Sequence, residues 1–212
     1  MKKILLGLFA LSSLSFAQNM YFDNMIVKVG SDFSANYESV YFTEQSITKE
    51  ALQEDAKSNG YEISLEFLKD INDNLKAGIG IAYQKHGDRK SNGYYIFNLS
   101  GVEYDSYPVY GTIRYDFNMN SNVIPYVKAN LGYSFNKNPS KFESEGYYTS
   151  DTSVTDGIYY AFGGGLEYNN LIVELMYGVN KAESECFTRG QKVIEDNDYE
   201  RFTLSLGYNF NL

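Results

Sequence analysis

The sequence predicts an all-β protein, an eight-stranded antiparallel up-and-down transmembrane β-barrel. Three observations predict it. Apolar and polar residues alternate with a period of two over eight segments, as in strands whose two faces meet different surroundings. The links between the segments are alternately short and long, as in a meander that turns at two opposite ends. The composition suits extended chain: 21 Tyr, 14 Phe and 18 Gly accompany only 3 Pro and no Trp in 212 residues. The same figures exclude other classes. With 21% charged residues the chain is no bundle of membrane helices, and 17% aromatics argue against disorder. A formal charge of −9 leaves no basic stripe for nucleic acid. One Cys makes neither an internal disulfide nor a cysteine zinc site.

The N-terminus reads as an address. Lys2 and Lys3 precede the apolar run from Ile4 to Leu11, and Ser15-Phe16-Ala17 follows with small residues at its first and third positions. That order defines a secretory signal peptide over residues 1–17, cleaved after Ala17. The run is too short to cross the ~30 Å of a bilayer core as an anchor helix. Cleavage leaves residues 18–212 as the barrel domain and, by removing two lysines, takes the formal charge from −9 to −11.

The strands follow in order. The first places Met25, Val27 and Val29 on one face and Asn24, Lys28 and Gly30 on the other. In the second, Tyr61, Ile63, Leu65 and Phe67 alternate with Glu62, Ser64 and Glu66. The third sets Leu75, Ala77, Ile79, Ile81 and Tyr83 against Lys76, Gly78, Gly80, Ala82 and Gln84. The fourth carries Tyr107, Val109, Ile113, Tyr115 and Phe117 around Thr112, Arg114 and Asp116. In the fifth, Val127 to Phe135 alternates with Lys128, Asn130, Gly132 and Ser134. The sixth runs through Tyr160, Phe162, Leu166 and Tyr168, with Gly163, Gly165 and Glu167 between. The seventh has Leu171, Val173, Leu175, Tyr177 and Val179 around Glu174, and the eighth runs from Arg201 to Leu212. Links 69–74, 118–122 and 169–170 are short and rich in Asn and Asp, as turns are. Links 34–59, 87–104, 137–156 and 182–198 are long and polar. Within the first of these, Thr48 to Lys57 has the composition of a short helix.

The charges decide which face meets lipid. Lys28, Lys76, Arg114, Lys128 and Arg201 share the polar face with Glu62, Glu66, Asp116, Glu167 and Glu174, so the two signs balance. The apolar face carries charge only near strand ends, at Asp23, Lys69, Lys85, Asp105 and Glu200. A charge-free apolar band suits lipid, where Arg or Lys at the midplane costs ~2–4 kcal/mol. A narrow interior must in turn balance its charges. On this reading the interior holds an ion-pair network of Glu62, Glu66, Lys76, Arg114, Asp116, Lys128, Glu167, Glu174 and Arg201. Within it Arg114, Lys128 and Arg201 pair with Glu66, Glu167 and Glu174, and the turns place Arg114 opposite Tyr126 and Glu174 opposite Gly165. Eight strands enclose space that their own side chains fill, so the lumen is read as largely plugged. Aromatic residues on the apolar face, such as Tyr61, Tyr107 and Phe202 at one end and Phe67, Tyr115 and Tyr208 at the other, mark two lipid–water interfaces.

The last residues, Ser205-Leu206-Gly207-Tyr208-Asn209-Phe210-Asn211-Leu212, resemble the C-terminal β-signal of outer-membrane barrels, with Ser205, Gly207, Phe210 and Leu212 at its marked positions. Leu212 departs from the commoner terminal Phe. The stretch Tyr107 to Tyr115, with Ile124-Pro125-Tyr126-Val127-Lys128 and Leu131-Gly132-Tyr133, resembles the small outer-membrane β-barrels of the OmpA-like and opacity-like porin superfamily. The resemblance covers residues 18–212. It implies localisation in the outer membrane, contact with lipid and lipopolysaccharide, and insertion by the outer-membrane assembly machinery.

Candidate chemistry is sparse. Asp70-x-Asn72-x-Asn74 opens like a calcium loop but has Leu75 at the glycine position and Ile81 at the bidentate position, so it reads as a tight turn. Gly163-Gly164-Gly165 lies within a strand and lacks the following helix of a phosphate loop; it reads as clearance for long side chains inside the barrel. His86 is the only histidine and points inward at the long-link end; it reads as a rim or lumen histidine making hydrogen bonds, and a histidine-based triad would have to use it. Cys186, in the fourth long link, reads as a free thiol. The sequence points to no cofactor, no metal and no catalytic residue. The expected role is structural and surface-recognising (adhesin-like), carried by four extracellular loops that meet host or neighbour surface molecules. The alternatives are a small porin or transporter for ions or hydrophobic solutes and, third, a lipid A-modifying enzyme using His86.

Overall fold

The computed structural model describes residues 22–37, 41–44, 47–50, 54–56, 58–88, 103–117, 121–137, 152–188 and 191–212. Eight long strands form one closed sheet: β1 (Asn24–Tyr37), β2 (Tyr61–Asp70), β3 (Leu75–Lys85), β4 (Asp105–Asp116), β5 (Val123–Lys137), β6 (Gly157–Tyr168), β7 (Leu171–Asn180) and β8 (Tyr199–Asn211). Each pairs with the next in sequence, and β8 returns to pair with β1, so the barrel has no open edge. The pairings are antiparallel throughout, from Asn24↔Asn211 to Tyr37↔Tyr199 at the closure. Among the described residues there is no helix. The expected signal peptide, residues 1–17, lies outside the described residues.

The short turns show why the chain reverses where it does. Between β2 and β3 the side-chain oxygen of Asn72 accepts the amide hydrogens of Asn74 at 3.0 Å and Leu75 at 2.9 Å, an Asx turn. Between β6 and β7 only Asn169 and Asn170 intervene. Their φ values of 48° and 69° lie in the left-handed region that Asn tolerates, as the tightest hairpin requires.

Two expectations need correction. The stretch Thr48 to Lys57 is not a helix where it is described: Ile47–Glu50 is a strand paired with Tyr41–Glu44, and Glu54–Asp55 pairs with the end of β1. A helix that short is marginal in water, and pairing with neighbouring strands supplies the backbone hydrogen bonds it lacks. Arg114 lies opposite Lys128 rather than Tyr126, which pairs with Asp116. The turn is centred one residue later than residues 118–122 imply, with the Phe117 amide donating to the Pro125 carbonyl at 2.8 Å. Glu174 does lie opposite Gly165.

Alternation sorts the side chains as period two requires. Every strand exposes apolar residues outward, among them Val29, Ile63, Ile81, Val109, Leu131 (67% exposed), Phe162, Leu175 and Leu204. Such a continuous belt is far larger than water tolerates on a monomer and fits lipid. Aromatic rings line its long-link edge in contact, with centroids 5.9 Å apart for Tyr61–Tyr83, 5.3 Å for Tyr83–Tyr107 and 5.2 Å for Tyr177–Phe202. Phe22–Phe67, Tyr115–Phe117 and Tyr208–Phe210 mark the other edge. Met25 shares the outward parity yet is buried; its cross-strand partners on both sides are the aromatic Phe67 and Phe210.

Candidate functional site: a lumen filled with paired charges

The inward residues stack in layers from the short-turn end to the long-link end. In the lowest layer Arg114, only 1% exposed, binds Asp116 at 2.5 Å and Glu167 at 2.6 Å. Its guanidinium carbon lies 3.8 Å from the centroid of the Tyr126 ring. Lys76 lies 3.5 Å from Asp116 and 3.7 Å from Asp70. Ile26, Leu68, Tyr126 and Ile172 pack together nearby as a buried apolar cluster. These four carry the inward parity that polar residues mark elsewhere, so the polar–apolar alternation alone passes them over.

At mid-barrel two lysines and two glutamates from four strands form a closed knot. Lys28 reaches Glu66 at 2.9 Å and Glu174 at 2.5 Å. Lys128 reaches Glu66 at 2.5 Å and Glu174 at 3.2 Å. Two tyrosines complete it: Tyr110 donates to Glu66 at 2.9 Å and Tyr126 to Glu174 at 2.8 Å. All four charged groups are buried, so each needs the opposite charge and the hydrogen bonds it receives. Glycines supply the room. A Cβ on Gly207 would stand 2.5 Å from Lys28 Cγ, one on Gly80 would enter the Tyr110 ring at 2.4 Å, and one on Gly165 would meet the Tyr126 hydroxyl at 2.6 Å. Gly163-Gly164-Gly165 therefore lies within a strand, with Gly165 clearing space for a ring.

Above the knot, Arg201 pairs with Glu62 at 3.3 Å and Asp32 at 3.6 Å. It does not take its partners from Glu66, Glu167 and Glu174, as expected of it. Asp32 also accepts from the Thr203 hydroxyl at 2.7 Å and the Tyr199 hydroxyl at 3.1 Å, while Gln84 donates to Glu62 at 2.6 Å. Asp32 is the interior carboxylate that the alternation missed. β1 shifts register between Asp32 and Ser34, and that irregularity blurs the period just where Asp32 turns inward. Between knot and Arg201 layer the remaining void is about 10 Å³, room for a single water. A larger opening of about 310 Å³ lies at the long-link end, lined by Asp32 to Asn36 and by Ala56, Ser58 and Asn59.

An aromatic cap finishes the stack. His86, 5% exposed, lies flat on Tyr199 with centroids 4.0 Å apart and meets the edge of Tyr104 at 4.4 Å. Tyr37 packs on Tyr199 at 4.9 Å and donates to the Gly87 carbonyl at 2.8 Å. The expected hydrogen bonds of His86 are not made: among the described residues neither ring nitrogen has a partner, and ring stacking in a buried cap takes their place. Burial and the positive charge of Arg201 hold its pKa well below the usual histidine value. The unfolded chain therefore takes up a proton near pH ~6.5 that the folded cap refuses until lower pH. The His86 contribution to stability is full above that value and is lost as pH falls through the depressed folded pKa. In urea unfolding at pH 7 and pH 5, the wild type should lose more stability on acidification than His86→Phe; equal losses would count against a neutral, buried His86.

Ser205, Gly207, Phe210 and Leu212 lie at the end of the chain that closes the barrel. Ser205 pairs with Gly30 and Gly207 with Lys28, both facing inward, while Phe210 and Leu212 are exposed. Cys186 lies on the strand Glu183–Thr188, which pairs with Thr152–Val154 and Gln191–Asp196 beyond the barrel. Among the described residues no cluster of His, Cys, Asp and Glu is arranged to hold a metal ion.

No family model matches the chain. It is 27% identical over 244 aligned positions to an uncharacterized protein of Pasteurella multocida strain Pm70, covering 99% of this chain and 98% of the relative. Solved outer-membrane proteins share the fold, two of them as follows. Outer membrane protein AlkL, determined in lipid bilayers, superposes with a TM-score of 0.55 at 17% identity, covering 90% of this chain and 92% of that one. OprG, an outer membrane protein of Pseudomonas aeruginosa, gives 0.55 at 12% identity, covering 91% and 98%.

Proposed function

From the fold of a small outer-membrane β-barrel as premise, we propose that this chain is exported by residues 1–17, inserted into the outer membrane and used as a closed scaffold that displays its long links outside. Its role is envelope structure and recognition of host or neighbour surface molecules. The observation that carries this reading is the interior. Inward lysines, arginines and carboxylates, most of them buried, neutralise one another from Lys76 up to Arg201, and the space between the knot and the Arg201 layer admits one water. A side chain already committed to such a pair is costly to recruit for a solute. The chemistry open to the surroundings is then that of residues 34–59, 87–104, 137–156 and 182–198, of which the first, third and fourth carry the excess acid. Insertion uses Ser205, Gly207, Phe210 and Leu212 as the signal read by the assembly machinery.

The test is adhesion. Cells displaying the whole protein are compared with cells whose barrel has residues 89–102 and 138–151 replaced by short Gly-Ser links. Both forms should fold, seen as a gel-mobility shift between boiled and unboiled samples. Binding to matrix proteins or neighbouring cells should be lost only in the shortened form. Equal binding by both would overturn a recognition role for these links.

A further inference from the structure

β1 changes its partner on one side before it ends. It pairs with β2 as far as Ser31↔Tyr61, and pairing resumes at Asn36↔Asp55 with the strand Glu54–Asp55. Two backbone hydrogen bonds bound the gap. The Asp32 amide donates to the Gly60 carbonyl at 3.0 Å, and the Ala56 amide donates to the Ala35 carbonyl at 2.9 Å. The irregularity of β1 between Asp32 and Ser34 falls inside this gap, as expected where a ladder is interrupted. The opening of about 310 Å³ is thus a notch in the barrel wall. Ser34, Asn36, Ser58 and Asn59 line it with hydroxyls and carboxamides, groups that both donate and accept. The Ser58 oxygen accepts the Asp88 amide at 2.8 Å and keeps its own hydrogen to donate. The one buried residue of the lining is Asp32, already bound to Arg201 at 3.6 Å, Thr203 at 2.7 Å and Tyr199 at 3.1 Å. Phe33 is exposed beside Phe202 of the aromatic girdle, with ring centroids 6.0 Å apart. Ser34 and Asn36 follow it toward the long links, and Ser58 and Asn59 precede Tyr61 on the same side, so the notch opens on the water side of the girdle.

We infer that this notch binds a neutral sugar unit of a glycan on another surface, an inference that deepens the recognition reading above and rests on it. A sugar ring presents neighbouring hydroxyls that donate and accept at once, and a face of C–H groups. The side chains of Ser34, Asn36, Ser58 and Asn59 match the hydroxyls, and the exposed Phe33 ring matches the C–H face. Other ligand classes fit less well. Among the described lining residues none carries a positive charge, so an anion finds no counter-charge. A metal cation finds the carboxylate of Asp32 already shared among Arg201, Thr203 and Tyr199. An acyl chain would cover hydroxyls and carboxamides without giving them a hydrogen bond. The volume lies at the lower end of the ~300–1,000 Å³ of ligand pockets and suits a small polar ring. The inner side is closed, since even a Cβ on Gly60 would stand 2.3 Å from Asp32 Oδ2. The notch therefore holds its ligand in the wall and leads nothing into the lumen.

The experiment measures saturation-transfer NMR from the whole protein, folded in a detergent without a sugar headgroup, to galactose, glucose and N-acetylglucosamine. N-acetylneuraminic acid and glucosamine serve as charged probes. A neutral sugar should receive the strongest signal. Ser34→Val and Asn59→Leu should each weaken its affinity about fivefold, the scale of one neutral hydrogen bond. The double variant should lose the signal. The form with residues 89–102 and 138–151 shortened should keep it, so that this result and the adhesion result can fail separately. No transfer to any neutral sugar, or equal transfer to wild type and double variant, would overturn the site. Loss in the shortened form would place the sugar on those links and overturn the notch as well. Preference for N-acetylneuraminic acid would overturn the neutral class. Displacement of the sugar by polysaccharide freed from the cell's own lipopolysaccharide would overturn a foreign glycan as its source. The boiled-against-unboiled mobility shift, read on the same samples, reports separately whether each barrel has formed.

Discussion

Glu66→Gln is expected to cost about 3–5 kcal/mol of folding stability, the price of leaving a buried ion without its partner. Glu66 is the point at which the knot is tied. It takes Lys28 at 2.9 Å, Lys128 at 2.5 Å and the Tyr110 hydroxyl at 2.9 Å, all out of water. The amide keeps the shape and one acceptor but removes the negative charge. Lys28 and Lys128 then share Glu174 alone, at low effective dielectric, and repel each other. The effect should be one of charge balance rather than of shape. Adding Lys128→Met to Glu66→Gln should therefore recover part of the loss, because the pair Lys28–Glu174 remains neutral. Urea unfolding of all four proteins in lipid vesicles measures the coupling. A loss below about 1 kcal/mol for Glu66→Gln, the range of exposed pairs, would mean that water reaches the knot.

Leu131→Arg should cost about 2–4 kcal/mol and lower the yield of folded barrel, because it places an ion at mid-belt in lipid. Leu131 is 67% exposed on the outward face of β5 and pairs with Gly111 and Tyr160 in neighbouring strands, so no carboxylate is at hand in the register. Lys128, three residues earlier on the same strand, carries its charge without such a penalty because parity turns it inward to Glu66 and Glu174. Folding into vesicles, read by the mobility shift, gives the yield. Unchanged yield and stability would show that this face does not meet hydrocarbon.

These two residues also mark what the sequence made legible. Leu131 and Lys128 follow from period two alone: once one face is free of charge, every side chain on eight strands has a side. The links were legible as well, since Asn72 and Asn169-Asn170 carry the chemistry that short turns need. The partners across the lumen were less so. Glu66 and Lys128 are 62 residues apart on non-adjacent strands, and the stagger between strands that sets their heights has no local signature. Arg201 shows the consequence, taking Glu62 and Asp32 rather than the carboxylates first assigned to it. Asp32 was hidden by the bulge in β1, and Tyr37, Tyr104 and Tyr199 by their position at strand ends, where alternation gives way to link. Tyr199 had a signal, for it shares the parity of Arg201. The stretch from Thr48 misled because composition favours a helix too short to hold by itself, while its described parts pair as strands.

The closed interior is the claim on which the functional reading depends, and electrical conductance tests it most directly. The wild-type barrel, inserted in a planar bilayer under an applied potential, should pass no steady current. On the proposed reading Lys28, Glu66, Lys128 and Glu174, joined across the lumen at mid-height, bar the axis, and the void of about 10 Å³ above them has room for one water at most. Discrete, steady, reproducible conductance steps from the unmutated protein would contradict the account and make the barrel a pore.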